Sequence, residues 1–190
     1  MINKKNPVFV SLKYSFTFIV IFWIIELIQI LGADFASFGI FPRTTVGLMG
    51  ILTAPFIHGD IQHLIANTLP FFVLSFLLFL FYKKRAAYFL VLIWLFTGVL
   101  TWLIGRSAWH IGASGVIYGL ASFLVFGGII SHNWKLILVS VIVLILYSGM
   151  AWGIFPGDAQ ISWEGHLSGA ISGIILAFMF KKVLRSPEYK

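Results

Sequence analysis

Six stretches of this chain run for roughly twenty residues with almost no charge, and no other feature limits its fold so tightly. They are residues 14–31, 62–82, 86–105, 114–131, 134–152 and 163–183. About 20 apolar residues in a helix cross the hydrocarbon core of a bilayer. There every backbone N–H and C=O must be satisfied within the segment, which a helix does by itself. The expected fold is therefore an all-α membrane protein with six transmembrane helices. Composition agrees: charged residues are only 10% of the chain, against about 25% in a soluble domain. The chain has no cysteine, which rules out disulfides and a thiolate zinc site.

Residues 32–61 separate the first two stretches. They are rich in Gly, Pro, Thr and Phe, too broken to span and too apolar to float free, so they read as a structured loop lying in the interface. The first apolar run is longer than the roughly 7–15 residues of a cleaved signal, so it is expected to stay attached. Three regions follow: a short tail 1–13, a membrane domain 14–183, and a second tail 184–190.

The net charge of +7 could suggest nucleic acid, but its placement points to topology instead. Lys4, Lys5, Lys13, Lys83, Lys84, Arg85, Lys135, Lys181, Lys182, Arg185 and Lys190 all fall on one side if the six helices alternate. The other side carries Arg43 and Arg106 with Asp34, Asp60, Asp158 and Glu164. By the positive-inside rule both termini are expected in the cytoplasm.

Polar groups inside membrane helices are costly and face protein or a water-filled cavity. Here they converge. His63 and Asn67, spaced i and i+4, project from one face of the second helix. Ser114 and Tyr118 open the fourth, and His166 lies one turn into the sixth. On the inferred topology these five lie within about two turns of the same membrane face. Ser114 sits where unpaired N–H groups and the helix dipole favour a developing anion. Gly112 permits an unusual backbone turn beside it. Gly115 and Gly119 on one helix, and Gly165, Gly169 and Gly173 on another, form small-residue faces that let two helices approach closely. Such an approach would bring a serine nucleophile within reach of a histidine base. Tyr118, one turn below Ser114, reads either as plain core or as packing on the His166 ring.

Blander roles suit most of the remaining polar residues. A membrane serine commonly bonds a neighbouring helix, and GxxxG spacing commonly means packing. His58 reads as a loop histidine, His110 and His132 as interfacial, and Glu26 as a bundle hydrogen-bonder. Arg43 would anchor the loop to headgroups or to helix carbonyls. Glu164 points roughly 200° around the helix from His166, while Asp158 stays open as a third catalytic member.

Taken together, "HLIAN" at 63–67, "GASG" at 112–115 with Tyr118, and "GHLSGAISG" at 165–173 resemble the rhomboid family of intramembrane serine proteases. The resemblance covers about residues 14–183 and implies a six-helix rhomboid-like bundle with a long interfacial first loop. It implies Ser114 as nucleophile, His166 as general base, and His63 and Asn67 as oxyanion donors beside the Ser114 N–H. It implies transmembrane proteins as substrates, a bacterial-type inner membrane location, and no metal or cofactor; it names no particular substrate or oligomeric state. The first loop departs from some members: it carries "FPRTTVG" where they have a Trp-Arg pair. Three other readings compete. A catalytically silent relative that binds transmembrane helices would be expected to lack Ser114 or His166. A proton-coupled transporter would need polar groups continuing through the apolar inner halves. A zinc site would need an HExxH, which is absent.

Overall fold

The computed structural model describes residues 6–158 and 160–186. Lys4, Lys5 and Lys190 of the basic set lie outside them. The long helices are α1 (Pro7–Ile30), α3 (Ile61–Tyr82), α4 (Ala86–Ile104), α5 (Ser114–Ser131), α6 (Trp134–Tyr147) and α7 (Trp163–Met179), with four-residue helices α2 (Gly50–Thr53) and α8 (Lys181–Leu184). The described residues hold no strand, only an isolated bridge between Ile40 and His110. The protein is an all-α membrane bundle.

Local chemistry sets the helix ends. Asn6 caps α1 through the Val8 N–H, with Pro7 at the first helical position, so α1 starts well before the apolar run does. Asp60 caps α3 through the His63 N–H, Asn133 caps α6 through Lys135 and Leu136, and Ser162 caps α7 through Gly165. α5 begins at Ser114 with no side-chain cap. α3 and α4 are joined by a single 3-10 turn, Lys83–Arg85, at whose start Lys83 takes a φ of 49°.

Two segments differ from the apolar runs that suggested them. The helix beginning at Trp134 is α-helical only to Tyr147 and continues as a 3-10 helix over Ser148–Ile154. α7 has 17 residues, close to the lower limit for a span, and turns at Phe180 into α8.

α5 is the centre of the bundle. It is two-thirds buried, whereas α1 and the helix from Trp134 to Ile154 are about one-fifth buried and show their apolar sides to the surroundings. Tyr82, Phe89 and Phe123 fill the core where α3, α4 and α5 meet, with Phe180 against Phe89. At the other end Phe18, Phe22, Phe56, Phe71 and Trp94 join α1, α3 and α4 to the first loop.

The most extensive helix contact is α5 against α7. A Cβ on Gly169 would fall on the Gly115 carbonyl, and one on Gly173 on the Gly119 carbonyl. The four glycines thus bring two backbones into direct contact.

The loop after α1 is built as expected: 3-10 turns at Ala36–Phe38, Val46–Leu48 and Ala54–Phe56 surround α2. The Trp94 and Trp102 indoles donate to the carbonyls of Ile51 and Thr44, which pins the loop to α4. Its outer face shows Phe38, Val46, Leu48, Met49 and Leu52. Of the two roles open to Arg43, the structure has the carbonyl one: its guanidinium donates to Leu103 and Gly105 at the end of α4.

Candidate active site

Ser114 occupies the first position of α5, with its own N–H among the unpaired donors of that terminus. The α5–α7 contact sets its distance to His166: Ser114 Oγ lies 2.9 Å from His166 Nε2. The other ring nitrogen, Nδ1, lies 2.9 Å from the carbonyl oxygen of Gly153. Tyr118 stacks on the imidazole, with ring centroids 4.3 Å apart and planes within 9°, and donates its hydroxyl to the Met150 carbonyl.

His63 stands opposite. Gly112, at φ 103°, passes so close that a Cβ there would lie 2.6 Å from His63 Nε2. The turn before Ser114 thus needs glycine twice over, for its conformation and for room. The Gly59 N–H points at His63 Nδ1 at 3.4 Å, which leaves Nε2 as the proton-bearing nitrogen. Asn67 donates one amide hydrogen to the His63 carbonyl, while its buried Oδ1 has no protein partner. An amide has a second N–H to offer.

These five side chains line one open cavity of about 680 Å³, with Asp60, Gln62, Trp109, Met150, Asp158 and Ser162 around it. It lies at the end of the bundle away from Lys83, Lys84, Arg85, Lys135, Lys181 and Lys182. Ser114, His166, His63, Asn67, Gly112 and Tyr118, singled out in the sequence, are therefore brought together. A hydroxyl bonded to an imidazole, beside free helix N–H groups and a second imidazole, is equipped for acyl transfer.

A family model described as "Rhomboid domain" matches residues 45–183. The chain belongs to the rhomboid family. It is 40% identical over 185 residues to an uncharacterised protein of Mycobacterium tuberculosis, covering 92% of this chain and 75% of that one. A Mycobacterium leprae relative is 39% identical over 92% of this chain and 71% of its own. "Rhomboid-like protein 11, chloroplastic" of Arabidopsis thaliana is 30% identical over 69% of this chain and 52% of its own length.

Several polar residues of this rhomboid have settled roles. Glu164 is buried and pairs with Arg106, Nη1 to Oε2 at 3.4 Å, tying the α4–α5 connection to α7. Asp158 accepts from the Gln160 N–H in an exposed loop and makes no bond to His166.

His110 is buried within the protein, 4% exposed. Its Nε2 lies 3.1 Å from the Arg106 carbonyl and its Nδ1 2.6 Å from Ser162 Oγ. A carbonyl only accepts, so Nε2–H donates to it and the Ser162 hydroxyl donates to Nδ1. Ser162 in turn caps α7, which links His110 to the helix that carries His166. Burial pushes the His110 imidazole below the ordinary histidine range, and the Arg106 charge adds to this; the Arg106 carbonyl and Glu164 oppose it.

His58 is 1% exposed, its ring tilted against Phe22 and edge-on to His63. Burial is the main cause that takes its pKa down to about 3, helped by His63 and opposed by the Phe56 backbone and Asp60. Its carbonyl, not its ring, holds the loop, by accepting from Gln29.

Proposed function

We propose that this rhomboid is an intramembrane serine endopeptidase that cleaves transmembrane segments of other membrane proteins. The observation that carries the reading is the 2.9 Å contact between Ser114 Oγ and His166 Nε2, inside an open cavity of about 680 Å³. His166 takes the hydroxyl proton as Ser114 attacks the scissile carbonyl, and returns it to the leaving amine. Water, activated by the same imidazole, then releases the acyl group from Ser114.

The tetrahedral oxyanion forms beside the Ser114 N–H. His63 Nε2–H and an Asn67 amide hydrogen are the side-chain donors for it. They bind the transition state more strongly than the ground state, where the carbonyl carries less charge. Besides these groups the reaction consumes only the water that releases the acyl group.

The same separation of charge supports a location in a cell membrane with both termini cytoplasmic and the cavity facing away from the cytoplasm. A relative that only held transmembrane helices would have no need of a serine bonded to a histidine. The test is incubation of the purified protein with a panel of single-span membrane proteins, with products read by mass spectrometry. Cleavage within or beside the span by the wild type, absent with Ser114→Ala, is expected. Cleavage by both, or by neither across a broad panel, would overturn the reading.

A further inference from the structure

The stacked Tyr118 ring fixes the plane of the His166 imidazole but not which nitrogen faces Ser114. A ring held only by stacking can turn by half a rotation, or exchange tautomers, without leaving its slot. Nor does any carboxylate among the described residues bond it: Glu164 is committed to Arg106 and Asp158 to Gln160. Yet His166 must present a lone pair, not an N–H, to the serine hydroxyl.

We propose that the main-chain carbonyl of Gly153 is the orienting third member of the site, a neutral counterpart of the carboxylate in a triad. This rests on the Ser114–His166 reading above. The carbonyl oxygen lies 2.9 Å from Nδ1 and only accepts, so the proton resides on Nδ1 and the lone pair on Nε2. That is the form that receives the Ser114 proton.

Two features of the segment suit it to this role. The first is the glycine itself. A Cβ at 153 would strike the Tyr118 hydroxyl and stand 3.2 Å from His166 Nδ1, so only glycine lets this stretch of backbone lie against the ring pair. The second is its tether. The segment from Trp134 to Ile154 is the least buried of the four long apolar spans among the described residues, and its 3-10 end, Ser148–Ile154, has no buried residue to hold it. Tyr118 bonds the Met150 carbonyl at 2.7 Å, one 3-10 turn before Gly153. One tyrosine therefore holds the imidazole by its face and, through its hydroxyl, the strip of backbone that sets the tautomer. Gly153 is a positioning residue: it acts through His166 and touches no substrate.

The test weakens that carbonyl, deleting only the Ile154 N–H beside it and changing no side chain. Replacing Ile154 by its α-hydroxy acid turns the 153–154 amide into an ester, whose carbonyl is a poorer acceptor. The control replaces the exposed Trp152 by its α-hydroxy acid, which weakens the Ala151 carbonyl instead and likewise deletes one N–H of the 3-10 turn. Full-length protein carrying either ester is compared with the wild type by the ¹⁵N shifts of the His166 ring and by the rate of labelling of Ser114 with a fluorophosphonate. The wild type is expected in the Nδ1–H tautomer. The 153–154 ester is expected to give a mixture and to label about tenfold more slowly, the scale of one hydrogen bond. The control is expected to keep both wild-type values. A 153–154 ester that labels at the wild-type rate would overturn the role of Gly153 while leaving the dyad intact, and an Nε2–H tautomer in the wild type would overturn both. A wild type whose Ser114 takes no label would overturn the dyad itself.

Discussion

Gly169 meets the carbonyl of Gly115 with no room for a methyl group between them. This contact, and the matching one of Gly173 with Gly119, place the α5 serine against the α7 histidine. Gly169→Ala forces apart two backbones that have no side chain to yield, at a cost in the upper part of the roughly 1–3 kcal/mol range of overpacking. A lower melting temperature and lost activity are expected, while Ile175→Ala, on the exposed side of α7, changes either much less. Thermal melting of both variants in detergent checks this; equal behaviour would separate these glycines from the helix contact.

The oxyanion role of His63 and Asn67 predicts a defect in rate rather than in stability. Loss of one donor from a serine protease can cost about 10²–10³ in rate. With three donors sharing the charge, His63→Ala and Asn67→Ala are each expected to fall short of that and retain measurable turnover. The double variant is expected well below either. Turnover and melting temperature measured on the same samples decide the matter. Unchanged turnover in a stable double variant would remove the pair from the mechanism.

Acid should destabilise the fold through His58. Its folded pKa is about 3, against about 6.5 when exposed, so below pH 6.5 the unfolded chain takes up a proton that the folded one refuses. Stability is full above that range and is lost as pH falls, by at most about 1.4 kcal/mol per pH unit. His110, also pushed down by burial, adds to the slope. Melting temperature should thus fall between pH 7 and pH 4, and His58→Leu should flatten the curve. Parallel curves for the two proteins would show that His58 is not the cause.

The parts legible in the sequence are those written in side chains at fixed spacings. The start of α5 at Ser114 and its end at Ser131 are marked by Gly112 on one side and His132–Asn133 on the other. The approach of α5 to α7 was legible in glycines four residues apart. The start of α1 was missed because hydropathy registers where lipid begins, whereas Asn6 and Pro7 decide where the helix does. The change to 3-10 geometry after Tyr147 leaves no mark in an apolar run, since either helix type buries the same residues. The hydrogen bonds of His110 to Ile40 and Ser162 leave no local mark, because both partners are distant in the chain. The Gly153 carbonyl carries no residue-type signal, because every residue has one.

The central claim is that Ser114 is a nucleophile made reactive by His166. Site mapping by mass spectrometry after exposure of the purified protein to a fluorophosphonate tests it without knowledge of any substrate. The account predicts one adduct, on Ser114, none in Ser114→Ala, and labelling slowed by orders of magnitude in a folded His166→Ala. An adduct on another residue, or a His166→Ala variant that labels as fast as the wild type, would contradict it.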